Sequence, residues 1–347
     1  MPNCAEARTS RPVTKMGGAL ALVAAAAVLA CTLGPSPARA ADQVRLALPW
    51  LVSGKNAAFF VGQAKGFYAD EGLDVTISRG SGSGDTIKRI AAGESTFGLA
   101  DSAAILAAQA NDGSPVKIVA MMSGKSSVAI LYVTESGIKT PADLKGRKIG
   151  RSAAGASVNM FPAFLKANNL DRTSFEEVVT APATFLPLLL SRQVDAVLDQ
   201  SSYLVRYRKG AAKEGLHIDA FGFGDYGVQV YGNALIASDE LIKSNPDLIR
   251  RFVRASIKAT EWSFAHMPEA VEILRKSNPQ IETDVGEAEL LDEKDSAMTP
   301  EEAKHGLGYV DADRMTQMQK DLVDLIGLKK VLPLDQIYTL DFLPKKS

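Results

Sequence analysis

From Val44 onward, short β-rich runs alternate with amphipathic helical stretches, through two successive cycles. In the first, VRLAL (44–48), LDVTIS, TFGLA and VKIVAMM read as strands. NAAFFVGQAKGFYADEG, DTIKRIAAG and SAAILAAQAND between them read as helices. That rhythm predicts an α/β fold, a parallel sheet covered by helices. A long β-run, SSVAILYVT, closes the cycle. The second begins after GIKTPADLKG, with RKIG, FEEVV and VDAVLD as strands. GASVNMFPAFLKANNL reads as a helix interrupted or restarted at Pro162, followed by the helices ATFLPLLLSRQ and SSYLVRYRKGAAKEG. VQVYGNALIAS is a second long β-run. Beyond it the chain reads as mostly helical, with helix starts at Asn245-Pro246 and Met267-Pro268, and with charged outer faces taken as ordinary solvated packing.

The two cycles echo one another. DTIKRIAAGESTFGLADSAA and TFLPLLLSRQVDAVLDQSSY share a helix, a polar link, a strand, and an acidic residue that opens the next helix. Asp101-Ser102 in one stands where Asp199-Gln200-Ser201 stands in the other. The economical interpretation is two similar lobes joined by the two long β-runs. The first lobe takes 41–133 plus 231–347 and the second 134–230. An incidental echo within any α/β chain is the alternative.

Residues 1–40 are a different kind of sequence. Arg8, Arg11 and Lys15 precede the apolar run MGGALALVAAAAVLACTL, and GPSPARA then places Ala38 and Ala40 in a small-x-small pattern. This reads as a secretory signal cut after Ala40, with a retained anchor or lipidation at Cys31 as alternatives. Cys4 and Cys31, the only cysteines, fall in that segment, so no thiolate chemistry is expected of the exported part. Loss of the leader's four basic residues and one acidic residue takes the chain from 39 and 40 to 35 basic and 39 acidic side chains. Neither balance suits a nucleic-acid binder.

The turn ISRGSGSGDTIKRIAAGE (77–94) joins a strand directly to a helix. No lysine follows its glycines as a phosphate loop requires. The third glycine of a dinucleotide fingerprint is replaced by Asp85 or Ile87, depending on where the count starts. What remains is a helix N-terminus with donors at Ser81 and Ser83, or else a plain cap or linker. IGRSAAGASVN (149–159) repeats the plan with Ser152, Gly155 and Ser157. Two such helix starts, one per lobe, would form a cleft for a polar or mildly anionic group. Trp50, Asp101, Gln200 and Tyr203 project from carboxyl ends of strands, where open α/β sheets bind ligands, although core packing is the rival role for Trp50 and Tyr203. Catalytic and metal constellations are thin. His217, His266 and His305 show no metal spacing, and SGIK (136–139) reads as a chance match to a Ser-x-x-Lys pattern.

Taken in order, the strand ending at Trp50, AAFFVGQAKGFYADEGLDVTI, GSGSGDTIKRIAAGESTFGLADSAAI and GIKTPADLKGRKIG resemble the periplasmic solute-binding proteins of ABC importers, in the nitrate/sulfonate/taurine and thiamine-pyrimidine group. The resemblance implies a type II two-lobed fold with two hinge strands and a helical C-terminal segment. It implies no cofactor and no catalysis, with a small-molecule ligand and an inner-membrane permease as partners of a periplasmic monomer. By match of position it implies ligand contacts at Trp50, Asn56, Ser81, Ser83, Asp101, Ser102, Ser152, Gly155, Ser157, Gln200, Tyr203 and Asn233. Thiamine-pyrimidine binders of the group often carry histidine where Asn56 stands. A related fungal pyrimidine-making enzyme carries a cysteine-rich motif and a reactive histidine, so an enzyme of that type is the alternative.

Overall fold

The computed structural model describes residues 40–153 and 155–345. The expected leader and the alternative at Cys31 lie outside the described residues. Within them, ten strands form two five-stranded sheets. The strands are β1 (Asp42–Leu48), β2 (Leu73–Arg79), β3 (Phe97–Asp101), β4 (Val116–Met121), β5 (Val128–Val133), β6 (Lys148–Arg151), β7 (Glu176–Val179), β8 (Ala196–Gln200), β9 (Ile218–Gly222) and β10 (Asn233–Ser238). The first sheet has the order β2-β1-β3-β10-β4 and the second β7-β6-β8-β5-β9.

The sheets share one plan. β1 runs parallel to β2 and β3, and β6 runs parallel to β7 and β8, because a helix returns the chain between parallel strands. Each sheet then receives one antiparallel strand from the other cycle's side of the chain. β10 is inserted between β3 and β4, and β5 between β8 and β9. The echo in the sequence therefore marks equivalent places: β3 and β8 are both central strands with an antiparallel neighbour, ending at Asp101 and at Asp199-Gln200.

Three sequence expectations need correction. The sequence reading assigns residues 41–133, and with them β5, to the first lobe, but Val128–Val133 pairs with β8 and β9 in the second sheet. The crossings are therefore residues 122–127 and 223–232. The run 228–238 is extended only from Asn233, because its first half is one of those crossings. The helix Ala156–Ala167 continues through Pro162 without a restart. Proline removes one hydrogen bond there, and burial of Met160, Phe161, Phe164 and Leu165 offsets the loss. Finally, the mostly helical region after the second long β-run includes a further helix, Thr283–Ala297, beyond those named from the sequence.

The C-terminal helices cover the first sheet and reach the second. Phe252, on the helix Pro246–Ala265, stacks on Phe97 of β3 with ring centroids 4.0 Å apart, and on Tyr68 at 5.6 Å. All three rings are buried. Phe252→Ala is expected to cost about 3–5 kcal/mol, since the transfer loss and an unfilled cavity add. A urea midpoint unchanged from wild type would contradict that packing role.

Candidate functional site

The two turns singled out in the sequence adopt nearly one conformation. Gly82 has φ 132° and ψ 163°, and Gly155 has φ 140° and ψ 171°; each starts a helix. Both φ values lie where a side chain is strained, so glycine is required at both positions. Neither helix has a side-chain cap at its start. Their first turns approach one cavity at the seam of the lobes, lined by Trp50, Gly82, Ser83, Gly155, Ala156, Ser157, Asp199, Gln200 and Asn233, among others. Trp50 lies two residues beyond the end of β1 but packs against the apolar cluster of the second sheet. A Cβ on Gly155 would sit 3.5 Å from its ring, and its indole Nε1 is buried with no hydrogen-bond partner.

A second cavity adjoins the first. It is lined by Lys55, Asp101, Ser123, Ser127, Gln200, Asn233 and Glu293, among others. A third, on the first-lobe side, includes Lys55, Asn56, Asn233 and Glu293. Asn233 lines all three, and each has a volume of about 20 Å³. A space that small holds little more than a water molecule. Side chains therefore fill the seam around Asn233, whereas wider spaces of about 690 and 430 Å³ lie beside Leu51, Arg79 and Arg206 and beside Ser201, Leu204 and Asp292.

The structure thus brings together eight of the twelve expected residues: Trp50, Asn56, Ser83, Asp101, Gly155, Ser157, Gln200 and Asn233. The other four stand apart from these cavities. Ser81 is exposed, and its N–H donates to Asp85 Oδ2 at 3.1 Å. Ser102 is buried, and its hydroxyl donates to the Tyr231 carbonyl at 2.6 Å, so it ties the helix Ser102–Asp112 to a crossing segment. Ser152 is buried beside the Gly155 turn, and its carbonyl accepts from Arg151. Tyr203 is a core residue of the second lobe, with Arg206 4.9 Å above its ring.

Two buried carboxylates mirror each other across the seam. Asp101 caps the helix Ser102–Asp112 by accepting from the N–H groups of Ala103 and Ala104 at 3.1 and 3.2 Å. Burial still pushes its pKa up to about 6. Asp199 accepts the Tyr207 hydroxyl at 2.7 Å, and burial pushes it up to about 7. In both cases loss of water outweighs the hydrogen bonds, because a buried charge is costly.

The sequence reading missed Lys55 and the acidic helix Thr283–Ala297. The Lys55 side chain is only 7% exposed. It donates to Gln200 Oε1 at 2.9 Å and to Ser127 Oγ at 3.0 Å, and lies 3.5 Å from Glu293 Oε2. Glu293 also accepts from Ser123 Oγ at 2.6 Å. Glu289, fully buried, accepts the Gly54 N–H at 2.8 Å and pairs with Arg206 of the second lobe at 2.6 Å. Lys209 of the second lobe pairs with Asp284 and Glu282. The helix thus rests on the first lobe and holds the second by charge. The signal for it was a helical run whose Glu289 and Glu293 fall four apart on one face.

The three histidines lie away from this seam. His217 is exposed beside Glu135, His266 stacks on Trp262, and His305 stacks on Tyr309. Among the described residues, no helix is long and apolar enough to cross a membrane.

Comparison with known proteins places this geometry. Residues 54–270, more than half of the chain, match the family described as NMT1/THI5 like. The riboflavin-binding protein RibY of Chloroflexus aurantiacus is 25% identical over 312 residues, 88% of this chain and 87% of that protein. A formylaminopyrimidine-binding protein of Halalkalibacterium halodurans is 26% identical, over 68% of this chain and 70% of its own. The 4-amino-5-hydroxymethyl-2-methylpyrimidine phosphate synthase THI11 of Saccharomyces cerevisiae is 26% identical, over 70% and 74%. Among solved structures, the alkanesulfonate-binding protein SsuA of Xanthomonas axonopodis pv. citri superposes with a TM-score of 0.67 at 17% identity, covering 88% of this chain and all of that one. The fold is that of the periplasmic binding proteins.

Proposed function

The chain belongs to the NMT1/THI5-like family, and from that premise we propose that it captures a small planar organic molecule between its lobes and hands it unaltered to an ABC permease. The observation that carries this reading is the seam itself. Asn233 of the first sheet and Gln200 of the second meet there between paired helix starts and the Trp50 ring. A guest touching both lobes stabilises the closed arrangement over the open one, so capture operates by population shift. A leader cut after Ala40 and a periplasmic monomer complete the proposal.

The interior charge bears on the guest. Asp101, Asp199 and Glu293 line the cavities, with the ammonium groups of Lys55 and Lys125 beside them. A nitrate or sulfonate would sit beside the Glu293 and Asp101 carboxyls, whereas a neutral or protonated heterocycle can donate hydrogen bonds to them. The relatives named for riboflavin and formylaminopyrimidine binding are consistent with a flat ring against Trp50. The synthase relatives keep an enzymatic alternative in view, and the position of all three histidines away from the seam favours capture.

A thermal-shift screen of nitrate, taurine, alkanesulfonates, aromatic acids, pyrimidines and flavins tests the proposal. A pyrimidine or flavin is expected to raise the melting temperature and to be recovered intact by mass spectrometry. Trp50→Ala and Asn233→Ala should each weaken that hit about tenfold or more, roughly the effect of one lost stacking or hydrogen-bond contact. A chemically changed product would overturn the reading, as would full affinity in both variants.

A further inference from the structure

Lys55 occupies an unusual place for a lysine. It sits on the short helical turn Gly54–Asn56 of the first lobe, yet its hydrogen bonds go to Gln200 and to Ser127, the residue that precedes β5 of the second sheet. Its ammonium is thus a bridge between the halves. The groups that contact it are an amide oxygen, a hydroxyl and a carboxylate, Gln200 Oε1, Ser127 Oγ and Glu293, and both Asp101 and Lys125 line the same cavity. Glu293 is 9% exposed, and its Oε2 is buried with no hydrogen bond, although it lies within ion-pair distance of Lys55. Helix Thr283–Ala297 holds that carboxylate in place through Glu289, which is anchored on Gly54 and Arg206. The acceptors are therefore fixed by the fold, while the group they surround is the flexible end of a four-carbon stem.

We propose that this is an ammonium subsite: the inner end of the captured guest is a protonated nitrogen, an amine or amidine, that takes the acceptors Lys55 now occupies. Lys55 is the specificity-determining residue. In the absence of a guest its own ammonium satisfies the subsite and bridges the lobes. When a guest arrives the lysine swings aside, and the small cavities beside it merge into space for a ring. An anionic end gains nothing from displacing the cation that neutralises Glu293. The inference rests on the capture reading for the guest, but the subsite can be tested without knowing that guest.

The test is chemical rescue of Lys55→Ala, with Lys55→Met as a second variant that keeps most of the stem's packing. Without additives, Lys55→Ala should melt several degrees below wild type, and its scattering profile should show a larger radius of gyration. Millimolar methylammonium or ethylammonium should restore both values, while acetate and methanesulfonate at equal ionic strength should not. Lys55→Met should melt below wild type and show little rescue, because its stem still fills the space. Equal rescue by acetate, or no response of Lys55→Ala to either alkylammonium ion, would overturn the proposal. The two readings can fail separately. Alkylammonium rescue without any solute captured by the wild type would sink capture alone. A captured solute with no basic nitrogen, together with absent rescue, would sink the subsite alone.

Discussion

Gly54→Ala should lower the melting temperature by roughly 10 °C or more and abolish solute capture. The added Cβ would lie 2.1 Å from the Gly286 carbonyl oxygen and 2.8 Å from Glu289 Cβ. Both obstacles are fixed parts of the helix Thr283–Ala297, so no side-chain rotation relieves the clash. The helix must move off the first lobe, and Glu289 then loses the Gly54 N–H and its alignment with Arg206. Overpacking costs about 1–3 kcal/mol, and the loss of partners for the buried Glu289 adds to it only in part, because Arg206 is 36% exposed and solvent screens the pair. Glu293 would leave Lys55 in the same movement. Gly84→Ala is the control. Gly84 is helical and exposed with open space around its Cβ position, so that variant should be neutral or slightly stabilised. Thermal melts and calorimetric titration with the screened solute measure both effects. A Gly54→Ala protein that melts and binds like wild type would show that the helix does not need this close approach.

Asp199→Asn should stabilise the protein at pH 8 and flatten its pH dependence. Burial raises the pKa of Asp199 to about 7 and of Asp101 to about 6, above their unfolded values. The stability each contributes is therefore fully present below about pH 4, and is lost as pH rises through the folded value. A shift of about three pH units corresponds to at most roughly 4 kcal/mol. Asparagine can still accept the Tyr207 hydroxyl, and at position 101 it caps a helix as well as aspartate does. Glu71 and Glu177 act in the opposite direction, because arginine partners hold both carboxyls below the usual range. The informative quantity is thus the difference between variant and wild type. Urea midpoints should separate most at high pH and converge near about pH 4. A difference that grows toward acid would contradict the assignment of burial as the dominant cause.

The parts of this molecule that were legible in the sequence share a local cause. The strand-helix rhythm is written in hydrophobic period, and the glycines at 82 and 155 are written in backbone geometry. Both signals survive whatever packs against them. The misplaced β5 shows the opposite case. VAILYV is a buried strand in either lobe, and only its pairing with β8 and β9 decides between them. Tyr203 and Ser102 are of the kind that contacts ligands, but one is consumed by the second core and the other by the Tyr231 carbonyl. Lys55 is the sharpest example. Next to Asn56 it reads as one more surface lysine, and its burial depends on Glu293, more than two hundred residues later. Helix Thr283–Ala297 was hidden for the same reason, since acidic residues that face an interior look like those that face water.

The strand order carries a consequence for how the chain acquires its structure. The second sheet is drawn from one continuous stretch, 128–222, so its pairing is complete once that stretch is available. The first cannot join β3 to β4 until β10 arrives from residue 233, more than a hundred positions later. Contacts so distant along the chain form slowly, because loop closure must precede any gain. The N-terminal half therefore stays half-built while the middle of the polypeptide matures. A chain ending before residue 233 would hold the second sheet whole and the first in two separate parts.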